Sequence, residues 1–264
     1  MALPPARSTP TFLAPVIHGL IAASQLRSIP ERPTASWSSR TSPSITPRVP
    51  RPPEPPADLK PNKEALKLWA ESLQPHGTLA EAYLRARGLE LPEELAGHVC
   101  RFHPKLYLDG QYVPGMVTLL RHIRTNEPWA IQRTFLTEDG GKIGRKFTGS
   151  PRMAAIKLDP DEVVREGLVI GEGFETCLAA RYLKLKPVWA VGTSGQIASF
   201  PALSGIEALT VLGENDPNGA NERAALECME RWENAGCEFH WPLPALGKDF
   251  NDAWVAAQEK GARA

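Results

Sequence analysis

Leu168-Val169-Ile170-Gly171-Glu172-Gly173-Phe174-Glu175 is the stretch on which the fold turns. A short apolar run, Leu168 to Gly171, ends on a glycine, presents a carboxylate and opens into a helical pattern from Phe174 to Leu183, the sequence form of a strand handing over to a helix. The same alternation continues downstream. Strands are expected at Pro187 to Val191, Ala208 to Gly213 and Glu238 to Trp241, with helices at Ala220 to Asn234 and Phe250 to Glu259. Strands alternating with helices predict an α/β fold, a mainly parallel sheet with helices on both faces. In an open sheet of this kind, chemistry sits at the C-terminal ends of the strands.

The acidic residues fall at those ends. Glu172 follows the first strand, Glu214 and Asp216 follow the third in Gly213-Glu214-Asn215-Asp216-Pro217-Asn218-Gly219, and Asp249 and Asp252 stand where the last helix begins, in Gly247-Lys248-Asp249-Phe250-Asn251-Asp252. Any one of these turns is ordinary, because Asp, Asn, Gly and Pro favour turns and an acid at a helix start complements its dipole. Three of them at one edge predict an oxygen-rich cluster suited to Mg²⁺ or Mn²⁺, which take carboxylate and water ligands. Clustered carboxylates repel one another unless a cation lies among them. Glu175 is a further acidic candidate beside them.

Upstream the pattern changes twice. Ala65, Leu66, Leu68, Trp69 and Leu73 recur at helical spacing, and after Gly77 a second helix runs from Leu79 to Arg87, which together predict a helical hairpin. After Pro92 come β-rich runs, Met116 to Ile123 and Trp129 to Leu136, with turn signals at Asn126 and Asp139-Gly140-Gly141. From Arg121 to Lys157 there are eight Lys and Arg against three acids, a basic β-rich unit fit to meet phosphate. Residues 1–58 hold 13 of the 26 prolines, mixed with Ser, Thr, Ala and Arg, and are expected to be a disordered arm.

Composition narrows the function classes. Thirty Lys and Arg balance thirty Asp and Glu, so the chain as a whole is neither a uniformly basic nucleic-acid binder nor an acidic tail protein. The balance hides a gradient: residues 59–160 carry 15 basic and 11 acidic groups, and residues 161–264 carry 9 and 16. The expected organisation is accordingly an arm over 1–58, a small α+β basic subdomain over 59–160 and an acidic catalytic domain over 161–264. Cys100, Cys177, Cys228 and Cys237 form no C-x-x-C pair, which argues against a disulfide framework or structural zinc and favours a reducing, cytoplasmic setting. No run of 18 apolar residues exists, so no membrane span is expected.

These residues carry a resemblance. Glu172-Gly173, then Glu214-x-Asp216-x-x-Gly219 after a strand, then Lys248-Asp249-x-Asn251, resemble the Toprim fold of bacterial primases, topoisomerases and some nucleases. The loop Ala190-Val191-Gly192-Thr193-Ser194 is similar to the corresponding loop of bacterial primases. The Gln132-Arg133 pair and the run Arg145 to Ser150 resemble the basic subdomain that precedes Toprim in primases. The helical start from Gly77 to Leu89 is similar to Toprim proteins of the phage and plasmid primase or primase-helicase group. Two departures stand out: Asp-x-Asp reads Glu214-Asn215-Asp216, and Thr176 occupies the usual place of an aspartate, with Glu175 one position earlier.

The resemblance implies a metal-dependent nucleotidyltransferase of DNA primase type, acting on single-stranded DNA and nucleoside triphosphates during phage- or plasmid-like replication. Glu172 would act as general base or metal ligand, with Glu214, Asp216 and Asp249 holding Mg²⁺ or Mn²⁺. Arg133, Lys146, Thr193, Ser194 and Lys248 would bind nucleotide or nucleic acid, with Arg133 and Lys146 facing the acidic rim. Two alternatives stay open: a nuclease using the same carboxylates to activate water, and a non-catalytic nucleic-acid-binding replication accessory protein. With no G-x-x-x-x-G-K-[ST] motif in the sequence, a helicase would be supplied in trans. A topoisomerase is not favoured, since Tyr83, Tyr107, Tyr112 and Tyr182 lack the context of a nucleophile.

Overall fold

The computed structural model describes residues 60–261. The arm expected over residues 1–58 lies outside the described residues. Among these, nine strands form one sheet in the order β4-β3-β2-β5-β7-β6-β8-β9, with β1 paired to β2 off this path. The upstream strands are β1 (Cys100–Leu108), β2 (Gln111–His122), β3 (Pro128–Leu136), β4 (Lys142–Thr148) and β5 (Ala154–Lys157). The downstream strands are β6 (Gly167–Gly171), β7 (Val188–Ala190), β8 (Ala208–Val211) and β9 (Glu238–His240). All upstream pairings are antiparallel, whereas β6 pairs in parallel with β7 and β8, and β8 with β9. The short β5 pairs antiparallel with both β2 and β7, so it joins the basic unit and the acidic unit into one sheet.

The helices are α1 (Lys63–Glu71), α2 (Leu79–Ala86), α3 (Phe174–Tyr182), α4 (Ser194–Ala198), α5 (Ala220–Asn234) and α6 (Phe250–Gly261). Period-two alternation decides which face each covers. Val169 of β6 and Val188 and Ala190 of β7 pack with Phe174, Cys177 and Leu178 of α3 and Phe250 of α6. Leu168, Ile170 and Trp189, one position out of phase, pack with Ile197 of α4 and with Cys228 and Trp232 of α5. Both faces of β6 and β7 are therefore buried, which is why these strands read as short continuous apolar runs, whereas β9 at the sheet edge is exposed to half-buried.

The upstream helices do not form the expected hairpin. Ala65 of α1 lies with Val117, Leu119, Ile131 and Phe135 on one face of the antiparallel sheet. Ala80, Tyr83 and Leu84 of α2 lie with Met116, Leu120, Ala130 and Leu136 on the other. Each helix has a single apolar stripe and buries it against the sheet rather than against its neighbour. The face carrying α2 also meets α3 and α6 and is called the inner face below.

Candidate active site

Three turns at the C-terminal ends of the parallel strands make the site, and backbone bonds tie them together. Glu172 stands between β6 and α3; its carbonyl accepts the Gly192 N–H at 2.8 Å, which joins this turn to the loop after β7. Gly192 has φ +92°, and a Cβ there would lie 2.6 Å from the Phe147 ring of β4, so only glycine lets this loop pass against the basic unit. Asn215 donates its backbone N–H to the Lys248 carbonyl at 2.8 Å and its side-chain amide to the Gly247 carbonyl at 2.8 Å. These bonds draw the Glu214 turn onto the Asp249 turn. The Glu214 N–H is held in addition by Asn221, at 3.1 Å.

Helix capping sets the orientation of the other acids. Asp249 accepts the N–H groups of Asn251 and Asp252 at 2.8 and 3.1 Å, satisfying orphan donors at the start of α6. Asp252 accepts the Lys248 N–H at 2.7 Å. Asp216 accepts the N–H groups of Asn218 and Ala220 at 3.0 Å each, closing the turn that leads into α5. Thr193 caps α4 by accepting the Gln196 N–H at 3.2 Å, and Ser194 is the first residue of that helix.

The electrostatics show which acids meet. Glu214 is pushed up to about 7, first by burial and then by the charges of Glu172 and Asp249, with Lys248 and Arg145 acting in the opposite direction. Glu172 and Asp249 thus lie near enough to Glu214 for their charges to act on it. Asp216 is instead held below the usual carboxylate range, mainly by its turn N–H groups, with Lys248 contributing. Glu175 is drawn in another direction. Burial alone would raise it, but Lys142 at 2.8 Å and the Tyr83 hydroxyl bring it down to about 2.

Arg145 of β4 is the cation that reaches the rim, donating to Glu172 at 2.6 Å. Arg133 and Lys146, expected there, are placed elsewhere. Neighbours along a strand point to opposite faces, so Lys146 faces away from Arg145, and it pairs with Asp109 at 2.7 Å. Arg133 is the cross-strand partner of Lys146 and donates to the Tyr107 carbonyl at 3.2 Å. Both therefore lie on the face carrying α1. Arg145 was missed as a site residue because the sequence does not say which of two adjacent basic residues points inward, Lys142 because its direction depends on a bulge, and Tyr83 because it belongs to no motif.

With this geometry in place, comparison with known proteins places the chain. Residues 60–164 match a domain of unknown function, DUF7146. Residues 167–260 match the Toprim domain family. Residues 167–260 form a Toprim domain. No curated protein sequence matches the chain. Among solved structures, the chain is similar to an Aquifex aeolicus primase comprising zinc-binding and RNA polymerase domains (14% identity, TM-score 0.54, 75% of this chain and 58% of that one). It is also similar to a DnaG catalytic core (14%, TM-score 0.53, 76% and 74%) and to a DnaG primase catalytic domain bound to single-stranded DNA (14%, TM-score 0.50, 76% and 77%). The chain spans only 58% of the Aquifex fragment. The likeness is one of fold: a Toprim sheet with a preceding α+β unit, as in primase catalytic cores. No helix among the described residues is long and apolar enough to cross a membrane.

Proposed function

We propose that the chain is a primase-type nucleotidyltransferase that joins nucleoside triphosphates on a single-stranded DNA template and depends on Mg²⁺ or Mn²⁺. The observation that carries this reading is the placing of Glu172, Glu214 and Asp249 on turns bonded to one another at the strand ends, where the charges of Glu172 and Asp249 add to the burial that pushes Glu214 up to about 7. Hard carboxylate oxygens under mutual repulsion are the donor chemistry such ions need. Among the described residues no three such side chains converge as a closed metal-binding group, and Arg145 occupies Glu172. The fit is thus one of donor type and charge. Glu172, Glu214 and Asp249 would hold the ions, with Asp216 at the edge of the set.

When bound, such ions supply charge neutralisation of a triphosphate and its pyrophosphate leaving group. The chain's own residues do the remainder. Glu172, at the end of β6, would act as general base where it is not itself a metal ligand. Arg145, with its side chain 29% exposed, can turn from Glu172 to a phosphate that competes for it. Lys248 adds positive charge beside Glu214 and Asp216. Thr193 and Ser194, on the loop bonded to Glu172, are proposed to line the nucleotide side, and a helicase in trans would supply unwound template.

Hydrolysis is the second reading, because the same carboxylates and ions can activate water in place of a 3′-hydroxyl. The test is incubation of the protein with single-stranded DNA, labelled nucleoside triphosphates and Mg²⁺ or Mn²⁺. Extension products support the polymerising reading and degradation products the nuclease. DNA binding with neither product, and no Mn²⁺ binding by calorimetry, identifies an accessory protein.

A further inference from the structure

We propose that β4 carries a two-cation clamp for the acidic turn, with Lys142 and Tyr83 as positioning residues that act on Glu172 through Glu175. In a regular strand, residues three apart point to opposite faces. Here Leu136 pairs with Lys142 and Phe135 with Gly144, so Ile143 is an extra residue, a bulge. Thr134, the partner of Arg145, and Leu136, the partner of Lys142, both face inward. The bulge therefore turns both cations toward the Toprim domain, while Ile143 is left 46% exposed, an uncommon place for isoleucine.

The partners have the matching spacing. Glu172 and Glu175 are also three apart, Glu172 just before the extended Gly173 that caps α3 and Glu175 in the first turn of that helix. Arg145 takes Glu172 and Lys142 takes Glu175, at 2.6 and 2.8 Å. Glu175 is nearly buried, and the same oxygen that meets Lys142 accepts the hydroxyl of Tyr83, itself 4% exposed on α2. Burial and the adjacent Glu175 push the Tyr83 phenol up, so it stays protonated and a donor. A buried charge with two partners cannot shift without leaving a group unsatisfied, so the first turn of α3 is pinned at once to β4 and α2. Glu172, just before the helix and more exposed, is paired among the described residues with Arg145. When Arg145 leaves it for a phosphate, the Glu175 anchor keeps the turn in place.

What the pinned carboxylate does rests on the metal-dependent reading above; the pinning does not. The test uses the full chain, first without metal, and reads hydrogen exchange of the amides of residues 173–177 by mass spectrometry, then Mn²⁺ binding by calorimetry. In Lys142→Met, exchange in that segment should accelerate roughly tenfold with α5 and β8 unchanged, and Mn²⁺ affinity should fall by roughly tenfold. Lys142→Arg, which restores the charge, should remain within about twofold of wild type. Tyr83→Phe, which keeps the ring, should show a smaller change of the same pattern and serves if Lys142→Met does not fold. Exchange unchanged at 173–177, or accelerated uniformly along the chain, overturns the clamp. Equal Mn²⁺ affinity in wild type and a folded Lys142→Met removes the positioning role and leaves the metal reading intact. A wild type that binds no Mn²⁺, with local exchange still dependent on Lys142, overturns the metal reading and leaves the clamp.

Discussion

Replacing Glu214 by glutamine should stabilise the protein above neutral pH and flatten its pH dependence. Glu214 titrates at about 7 in the folded chain against 4.5 for an unperturbed glutamate, with burial the largest cause and Glu172 and Asp249 next. The folded state holds this proton more tightly than the unfolded state, so as far as this group is concerned stability is highest below pH 4.5 and falls as the pH rises to about 7. Taken at face value the difference is about 3 kcal/mol. The side chain is only partly buried, and solvent screening reduces this to about 1.5 kcal/mol. Glutamine keeps the shape and carries no charge, so at pH 8 the metal-free variant should melt roughly 3 to 6 °C above wild type. At pH 5, just above the unfolded value, only about a quarter of that difference should remain, and below pH 4.5 the two should coincide. Thermal melts by circular dichroism at half-unit steps from pH 5 to 8 measure this, read as the difference between the proteins so that histidine titrations cancel. Glu175 does not interfere: its folded pKa is depressed to about 2, so its stabilisation is lost only as the pH falls below 4.5. Saturating Mg²⁺ should raise the wild-type melting temperature at pH 8 and not that of the variant. A Glu214→Gln protein that melts at or below wild type at pH 8, or tracks it in parallel across the range, would refute the crowding argument.

Glu172→Gln should abolish nucleotide incorporation while changing the melting temperature by no more than a few degrees, since its side chain is part-exposed and belongs to none of the cores; a primer-synthesis assay beside a melt checks both halves. A single strand crossing the rim meets Arg145 and not Lys146, so Arg145→Ala should reduce the salt slope of single-strand binding by about 0.7 and Lys146→Ala should leave it unchanged, as read by fluorescence anisotropy over a salt series. Trp232, fully buried and stacked on Phe200 at 6.3 Å between centroids, should cost about 3 to 5 kcal/mol on truncation to alanine, measured by urea unfolding.

The parallel half was legible because its signals are local. The helix expected at Ala220 to Asn234 is found with those bounds, since Gly219 opens it and its buried residues recur at helical spacing. β6 and β7 are short apolar runs bounded by turns, and both their faces are covered. The elements that escaped notice lack such signals. β1 contains Pro104 and charged Arg101 and Lys105, so no period of two stands out. α4 is five residues long, too short for a helical period, and is started by the Thr193 cap. That α1 and α2 take opposite faces was not legible at all: an amphipathic stripe states that a helix must be covered, not by which surface.

The site divides along the same line. Carboxylates at strand ends are visible in a sequence because topology alone gathers them, and the tie that brings Glu214 against Asp249 is a bond from Asn215 to Lys248 within two turns that already looked unusual. The cations obey a different rule. Arg145 and Lys146 are adjacent, a strand must send one inward and one outward, and nothing in the composition of β4 distinguishes them. The choice is made by register against β3, and register here includes a bulge at Ile143 that a regular alternation does not contain. One slipped residue in that ladder would turn Lys142 outward and Ile143 inward, leaving Glu175 charged and buried against a methyl group. The ion pairs across the junction therefore select the register of the strand that supplies them, so the pairing of β4 and the placement of the acidic turn are one structural decision, made only when both halves of the sheet are folded together.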